Sequence, residues 1–372
     1  MTKNRIPFVN LNNINKNYKN LFVNILKDTI DNSNYIKGLN NKKFEKSICK
    51  KFRCNYALAL NSGTDALIVA MKTLKLKKND EVIMTANTWI SAAYAVTLNN
   101  AKPVFAEIND KNFQMDVSSL KKNITKKTKA CIVTHLYGFP NQMDEILKIC
   151  RKHSIIIIED LAQSHLAEYK NKIVGSFGKI SILSFYPSKN LGALGDGGAI
   201  ITNSKKSYDD CRIYANYGSK DFRNPDHETI GINSRMDELQ AAFLNEKLKN
   251  LKKETIQRIK TAKKYDYYCD KLNIQRIETK KNYKNVYHLY PILIENRDLI
   301  KKRLEKRNIS TQIHYKIPIH LQGAFSYLKY KKNSLPITER ISKKILSLPF
   351  FIGIKDSEIQ KIFKTLKEVM NK

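Results

Sequence analysis

In the stretch Ser184-Phe-Tyr-Pro-Ser-Lys-Asn-Leu-Gly-Ala-Leu-Gly-Asp-Gly-Gly198, one lysine, Lys189, follows the apolar run 180–185, which predicts a buried strand. Pro187 removes a backbone donor before the lysine, and several glycines after it permit backbone angles that other residues avoid. Lys189 is therefore predicted to lie in a shaped loop, where a lysine can act as a nucleophile. Taken alone, the stretch is also consistent with a surface lysine in a glycine-rich turn.

A second motif, Ile155-Ile-Ile-Ile-Glu-Asp-Leu-Ala-Gln163, lies upstream and predicts a central parallel strand that ends in two carboxylates. Asp160 is expected at the carboxyl edge of the sheet, where open α/β sheets bind ligands. An aldehyde cofactor with a pyridine ring needs a lysine to condense with the aldehyde, an acid to keep the ring nitrogen protonated, and a donor near the ring hydroxyl. Lys189, Asp160 and Gln163 supply that set.

The chain contains two further motifs, one before and one after those already described. They are Ser62-Gly-Thr-Asp-Ala-Leu67 and Gly231-Ile-Asn-Ser-Arg-Met-Asp-Glu-Leu-Gln-Ala-Ala242. With all four blocks, the sequence resembles the pyridoxal-phosphate-dependent sugar aminotransferases, the family often called DegT/DnrJ/EryC1/StrS. The resemblance covers nearly the whole chain, and it identifies pyridoxal 5'-phosphate as the expected cofactor. Some members of the family are dehydratases that carry histidine at the lysine position, so Lys189 favours amino transfer.

The resemblance implies the α/β fold of the aspartate-aminotransferase type (type I). We expect a large cofactor-binding domain, residues 1–245, with a mostly parallel seven-stranded sheet flanked by helices, and a small α+β domain, residues 246–372. The residues agree, because strand and helix patterns alternate over residues 56–202. In the C-terminal part, helices are predicted near 297–307, 338–347 and 356–370, with extended segments at 287–294 and 310–315.

Composition limits the function classes. The formal net charge is +33, and a charge of this size is also typical of nucleic-acid-binding proteins. The lysines, however, are spread along the chain, which favours a solvated basic surface. Such a surface would suit an anionic substrate. The six cysteines show no Cys-x-x-Cys pair and no clustering with histidine, which predicts reduced thiols and no metal site. No apolar run is long enough to cross a bilayer, so a cytoplasmic protein is expected.

Further cofactor contacts are predicted from the same blocks. Gly63 and Thr64 open an apolar helix, where free backbone amides can hold a phosphate, although an ordinary capped helix explains the same residues. The resemblance implies that Ser184 binds the phosphate and that Trp89 stacks on the pyridine ring; the alternative for Trp89 is a side chain that fills core. It also implies that Asn233 reaches the phosphate of the neighbouring subunit, and hence a homodimer with shared active sites.

The substrate is suggested by Ile313-His-Tyr-Lys-Ile-Pro-Ile-His-Leu-Gln322, which is similar to the sequence in aminotransferases that act at C3 of a dTDP-linked 3-keto-6-deoxyhexose. From that subgroup, Tyr186, Lys220, His314 and Tyr315 are expected to contact the substrate, although His314 alone is equally typical of a structural histidine. The resemblance implies L-glutamate as donor and a dTDP-3-amino-3,6-dideoxyhexose, used for surface polysaccharide, as product.

Three points stay open at the level of sequence. The acceptor is alternatively a UDP- or GDP-linked keto sugar aminated at C4. The chain is alternatively a basic nucleic-acid-binding or regulatory protein on an inactive aminotransferase fold. Leu166 stands where the family pattern predicts a glycine, which is expected to change the packing beneath the cofactor.

Overall fold

The computed structural model describes residues 5–221 and 226–371. Its strands, in chain order, are β1 (Tyr56–Leu60), β2 (Glu81–Thr85), β3 (Lys102–Ala106), β4 (Thr128–Thr134), β5 (Ile156–Asp160), β6 (Glu168–Tyr169), β7 (Lys172–Ile173), β8 (Ile180–Ser184), β9 (Gly198–Thr202), β10 (Gln275–Arg276), β11 (Tyr283–Lys284), β12 (Tyr290–Leu293) and β13 (Ile345–Leu348).

The α-helices are α1 (Leu11–Asn15), α2 (Lys19–Asp31), α3 (Leu39–Phe52), α4 (Gly63–Lys72), α5 (Ser91–Leu98), α6 (Val117–Lys122), α7 (Met143–Lys152), α8 (Lys205–Tyr214), α9 (Glu238–Lys271), α10 (Arg297–Lys306), α11 (Pro336–Lys344) and α12 (Asp356–Met370). In the described ranges, no helix combines the length and the apolar character that a membrane crossing requires.

Seven strands form the main sheet, in the order β1-β9-β8-β5-β4-β2-β3. Neighbours from β8 to β3 pair in parallel, whereas β9 pairs antiparallel with both β1 and β8. Because β9 runs backwards, its first residue, Gly198, lies beside the last residues of β1 and β8, Leu60 and Ser184. The glycine-rich stretch after Ser184 is therefore a loop along the carboxyl edge of the sheet. The mostly parallel, helix-flanked sheet confirms the expected fold class.

Apolar side chains cover both faces of this sheet. Phe44, Ile48 and Leu244 belong to a buried cluster that joins α3 and α9 to one face, and Ala66, Val69 and Val96 to a second cluster that joins α4 and α5 to the other. The strands are apolar at nearly every position because both faces are covered.

The C-terminal part contains a three-stranded sheet, β10-β12-β13, whose apolar cluster also includes Phe113 and Tyr137 from the N-terminal part. The helix predicted at 338–347 is wrong at its end: α11 stops at Lys344, and residues 345–348 pair with β12 as strand β13. The apolar residues there pack across a sheet, and this tertiary pairing overrides the helical pattern. In the segment 310–315, only Gln312 makes a β-bridge among the described residues, and it bridges to Ser347.

The C-terminal part also returns to the large sheet. Helix α9 runs through the proposed boundary at residue 245 without a break. Ile319, Phe325 and Leu335 then pack in the cluster of α4 and α5, and the Ile319 N–H donates to the Ala86 carbonyl at 3.0 Å. The segment from Ile319 to Leu335 therefore lies against the large sheet although it follows α9 in the chain. The two-domain division remains a prediction.

Candidate active site

A cavity of about 450 Å³ opens at the carboxyl edge of the main sheet. Its lining contains ten of the twelve residues predicted from sequence: Gly63, Thr64, Trp89, Asp160, Gln163, Ser184, Tyr186, Lys189, His314 and Tyr315. They come from strand ends, from the start of α4, from the loop after β8 and from the segment before Ile319. The fold thus brings residues separated by more than two hundred positions to one site.

Lys189 and Asp160 form the charged centre of the cavity. Burial lowers the pKa of Lys189 to about 8, and the negative charge of Asp160 opposes this shift. Burial raises the pKa of Asp160, against the hydrogen bond from the Ala162 N–H and the charge of Lys189. The Asp160 carboxylate accepts that N–H at 2.9 Å, and the Thr134 hydroxyl lies 3.5 Å from its second oxygen. The site therefore offers an amine that is readily uncharged and a carboxylate whose charge needs a cationic partner.

Glu159, the other carboxylate of the motif, lies on the opposite side of β5. Its side chain is fully buried and pairs with His135 Nε2 at 3.1 Å. It also accepts the N–H groups of Gly175, Phe177 and Gly178 at 2.8, 2.8 and 2.6 Å. Burial opposes its charge, yet the hydrogen bonds from His135 and the backbone hold the pKa of Glu159 below its usual value. Asp160 alone of the two lines the cavity.

The start of α4 provides an anion-binding edge. Ser62 caps the helix by accepting the Asp65 N–H at 3.0 Å. In the described part of the chain, the amides of Gly63 and Thr64 donate to no protein acceptor, as expected for the first turn of a helix. A Cβ added at Gly63 would lie 2.6 Å from the Ser184 Cβ, so this helix approaches Ser184 at a distance that only glycine allows. The ordinary cap is present here, and the two amides remain available to an anion.

Gln163 is held in one orientation. Its Oε1 accepts the Tyr137 N–H at 2.7 Å, so its Nε2 is the donor to the Tyr315 hydroxyl at 3.1 Å. Because Tyr315 accepts this bond, its own O–H remains able to donate. The Tyr137 hydroxyl donates to the His314 carbonyl, which anchors the neighbouring wall.

Aromatic side chains also line the cavity. Trp89 is 59% exposed, so it does not fill core, and its ring centroid lies 5.9 Å from that of Tyr315. Tyr186 is 55% exposed at the mouth. His314 lines the cavity and also bonds Ser347 Oγ through Nδ1 at 3.0 Å, so it has a structural contact as well. Burial lowers the pKa of His314 to about 4, which keeps its imidazole neutral.

These groups fit pyridoxal 5'-phosphate. Free amides at a helix start and the Gly63–Ser184 approach suit a phosphate. A buried carboxylate suits a protonated ring nitrogen, and an amine of lowered pKa suits an aldehyde.

Two predicted residues lie outside the cavity in this chain. Lys220 is exposed and pairs with Glu228 at 2.7 Å. Asn233 is exposed and forms a β-bridge with Asn216. The adjacent Ser234 donates to the Asp65 carboxylate at 2.8 Å, which fixes this segment beside the first turn of α4.

Sequence reasoning missed several lining residues, among them Thr134, Ser188 and His288. Thr134 is the residue of β4 in register with Asp160, so its position at a strand end was the available signal. His288 is buried and lies in an apolar run, where the residue pattern predicts only strand; its Nδ1 lies 3.3 Å from Asn190 Oδ1. Leu166 adopts φ +62°, which explains why a glycine is expected there.

Comparison with known proteins gives one family. The sequence profile of the DegT/DnrJ/EryC1/StrS aminotransferase family matches residues 16–367. A solved structure with this fold, that of S. venezuelae DesV in complex with a ketimine intermediate, is 32% identical, superposes with a TM-score of 0.95 and covers 99% of both chains.

Curated relatives carry different names. The dTDP-3-amino-3,6-dideoxy-alpha-D-galactopyranose transaminase of Aneurinibacillus thermoaerophilus is 35% identical over 97% of this chain and 98% of its own. The UDP-N-acetyl-3-dehydro-alpha-D-glucosamine 3-aminotransferase of Acidithiobacillus ferrooxidans is 33% identical over 92% of both. A protein of Geobacillus stearothermophilus named pleiotropic regulatory protein is 35% identical over 98% of both.

Proposed function

Because this chain belongs to the DegT/DnrJ/EryC1/StrS family of pyridoxal-phosphate-dependent sugar aminotransferases, we propose that it aminates the C3 keto group of a dTDP-linked 3-keto-6-deoxyhexose, with L-glutamate as donor. The product is a dTDP-3-amino-3,6-dideoxyhexose. One observation carries the proposal: Lys189 and the buried Asp160 share a cavity that Tyr186, His314 and Tyr315 also line. The name of the Aneurinibacillus relative supports the C3 position and the dTDP carrier.

The residues divide the chemistry between them. The bound cofactor supplies an aldehyde and an electron-accepting ring. Lys189 Nζ would hold the cofactor by its aldehyde carbon and, once free, would accept and return a proton at the reacting carbon. The Asp160 carboxylate would keep the ring nitrogen protonated. The Tyr315 O–H and the neutral His314 ring would offer hydrogen bonds to sugar hydroxyls, and Trp89 would offer its ring face for stacking.

The test of acceptor is a panel of nucleotide-linked keto sugars supplied with glutamate. We expect the dTDP-linked 3-keto-6-deoxyhexose to give the highest kcat/KM, with NMR placing the amine at C3. Lys189→Ala is the control, since it keeps the cavity but lacks the amine. Faster amination of a UDP- or GDP-linked 4-keto sugar would replace this proposal with the C4 alternative, and the UDP-linked relative is the reason to include those substrates.

The nucleic-acid alternative makes a separate prediction. It requires binding of DNA or RNA that weakens steeply with salt. The proposed enzyme instead carries a visible absorption band that borohydride bleaches, with the label fixed at Lys189. A label on another residue would show that Lys189 is not the attachment site.

We further propose a homodimer with shared sites. Asn233 is exposed and does not line the cavity of its own chain, as expected of a residue that serves a neighbouring subunit. Exposed apolar side chains on and after α2, which a partner would cover, support the same arrangement: Leu21, Val23, Leu26, Ile30, Tyr35, Ile36 and Leu39.

Subunit mixing tests the shared site. Lys189→Ala and Asn233→Asp are each expected to be inactive, the second because a carboxylate repels the cofactor phosphate. In a hybrid dimer one site collects both changes and the other receives both intact residues, so activity should return on mixing. If mass analysis proves exchange and no activity returns, each site belongs to a single chain.

A further inference from the structure

Four of the six cysteines lie in two pairs. All six are free thiols. The side chain of Cys49 interacts with that of Cys54 and the side chain of Cys131 with that of Cys150, while Cys131 Sγ also donates to Met115 Sδ at 3.9 Å. The inner pair is fully buried, whereas Cys49 and Cys54 are partly exposed. The chain therefore contains the same contact in two environments, one closed to solvent and one open to it.

The end of α3 creates the open pair. The helix stops because Arg53 adopts the left-handed conformation, with φ +56°. The Cys54 N–H then folds back to the Cys49 carbonyl at 3.1 Å. This six-residue turn is a common way to end a helix, and it brings the first and last side chains of the turn together. The backbone, and not a chance approach of two surface loops, places the sulfurs side by side.

The surroundings favour reaction at Cys49. The hydrogen bond from Cys54 lowers the pKa of Cys49, and the same bond raises the pKa of Cys54. Exposed cations are the chain neighbours of the pair, Lys50 after Cys49 and Arg53 before Cys54, whereas the Glu45 carboxyl acts on Cys49 in the opposite sense and raises its pKa. A thiolate beside positive charge is the reactive form of cysteine, and an anionic disulfide is attracted to the same charges.

We propose that Cys49 and Cys54 form a reversible modification site that exchanges with small anionic disulfides and closes an intramolecular disulfide. The Cys49 thiolate attacks the small disulfide, forms a mixed disulfide and releases one small thiol. Cys54 loses its proton to solvent and attacks the Cys49 sulfur, which releases the second small thiol. Two protein thiols are oxidised to one disulfide, and one small disulfide is reduced to two thiols. This site is separate from the cavity around Lys189.

The test uses the cofactor-loaded protein and glutathione disulfide. After alkylation of the remaining thiols and digestion without reductant, we expect peptides containing Cys49 and Cys54 to be joined, lighter by the two thiol hydrogens. Dithiothreitol should restore both thiols. Cys131 and Cys150 are the internal control and should be alkylated only after unfolding, because burial makes cysteine inert.

Two variants separate the steps. In Cys54→Ser the reaction should stop with one glutathione on Cys49, and in Cys49→Ser it should stop with one glutathione on Cys54, formed more slowly because burial still raises the pKa of that thiol. The proposal is wrong if glutathione stays on both cysteines of the native protein, if neither reacts, or if the buried pair closes at the same rate.

Discussion

Replacing Asp160 by asparagine tests the assignment of the charged centre. The substitution keeps the shape of the side chain, and the amide oxygen can still accept the Ala162 N–H that now lies 2.9 Å from the carboxylate. What is lost is the negative charge that would face the protonated ring nitrogen. The fold is expected to survive, because the cavity itself leaves this charge poorly solvated and raises the pKa of Asp160.

The magnitude follows from burial. A hydrogen bond to a charged group contributes about 1.5–3 kcal/mol, and Asp160 is only 6% exposed, which favours the upper half of that range. A loss of about 2.7 kcal/mol in the transition state lowers the rate by roughly a hundredfold. We therefore expect Asp160→Asn to lower the single-turnover rate with glutamate at least roughly a hundredfold. The rate is measured from the change in cofactor absorbance.

Glu159→Gln is the matched control. Glu159 precedes Asp160 in the same strand but bonds His135 and three backbone amides on the other side. The Glu159→Gln substitution should lower the thermal midpoint and leave the rate per folded molecule within a few-fold of wild type. If Asp160→Asn retains the wild-type rate, or if Glu159→Gln loses as much rate without losing stability, Asp160 does not face the cofactor.

Three further outcomes are expected. In cofactor-free protein, cofactor capture should quicken about tenfold per pH unit up to about pH 8 and then level, because Lys189 must be uncharged to react and its pKa is about 8; a rate that still rises towards pH 10 would contradict this. Gly63→Ala should weaken cofactor binding at least roughly tenfold in equilibrium titration, since its Cβ would lie 2.6 Å from the Ser184 Cβ, whereas Gly323→Ala, with no atom within 4 Å, should bind normally. The pKa of Glu159 is lowered by folding, so its contribution to stability is present above its usual pKa and is lost as pH falls through the folded value; the gap in thermal midpoint between wild type and Glu159→Gln should be largest near neutral pH and close in acid, and a gap independent of pH would refute the ionised assignment.

Sequence alone indicates which residues meet in one cavity where chemistry and chain position coincide. Asp160 and Ser184 end strands, and parallel strands bring their carboxyl ends to one edge, so the order of motifs along the chain was enough to place them together. The resemblance supplied Trp89 and Tyr315, whose approach at 5.9 Å depends on how the C-terminal part folds back. No local pattern contains that information.

Other features needed the three-dimensional structure. Residues 345–347 are predicted as the end of a helix but belong to β13, because β12 pairs with them. The sequence around His288 predicts an apolar strand, and it does not predict that this residue lines the cavity. At Leu166 the backbone conformation and the side-chain packing favour different residues. Its φ of +62° suits glycine, whereas its position in the apolar core suits a leucine. Burial of a leucine contributes about 1.5–3 kcal/mol, which offsets a left-handed cost of about 1–2 kcal/mol.

The segment that carries His314 and Tyr315 has a further consequence. It is tied to the large sheet on both sides, by the bond from the Tyr137 hydroxyl to the His314 carbonyl and by the bond from the Ile319 N–H to the Ala86 carbonyl. A swing of the C-terminal part away from the sheet would have to break both. If the substrate binds here as proposed, its recognition depends on a fixed shape, with little ordering entropy lost on binding. Substitutions in the segment itself would then change the substrate range without a change in any hinge.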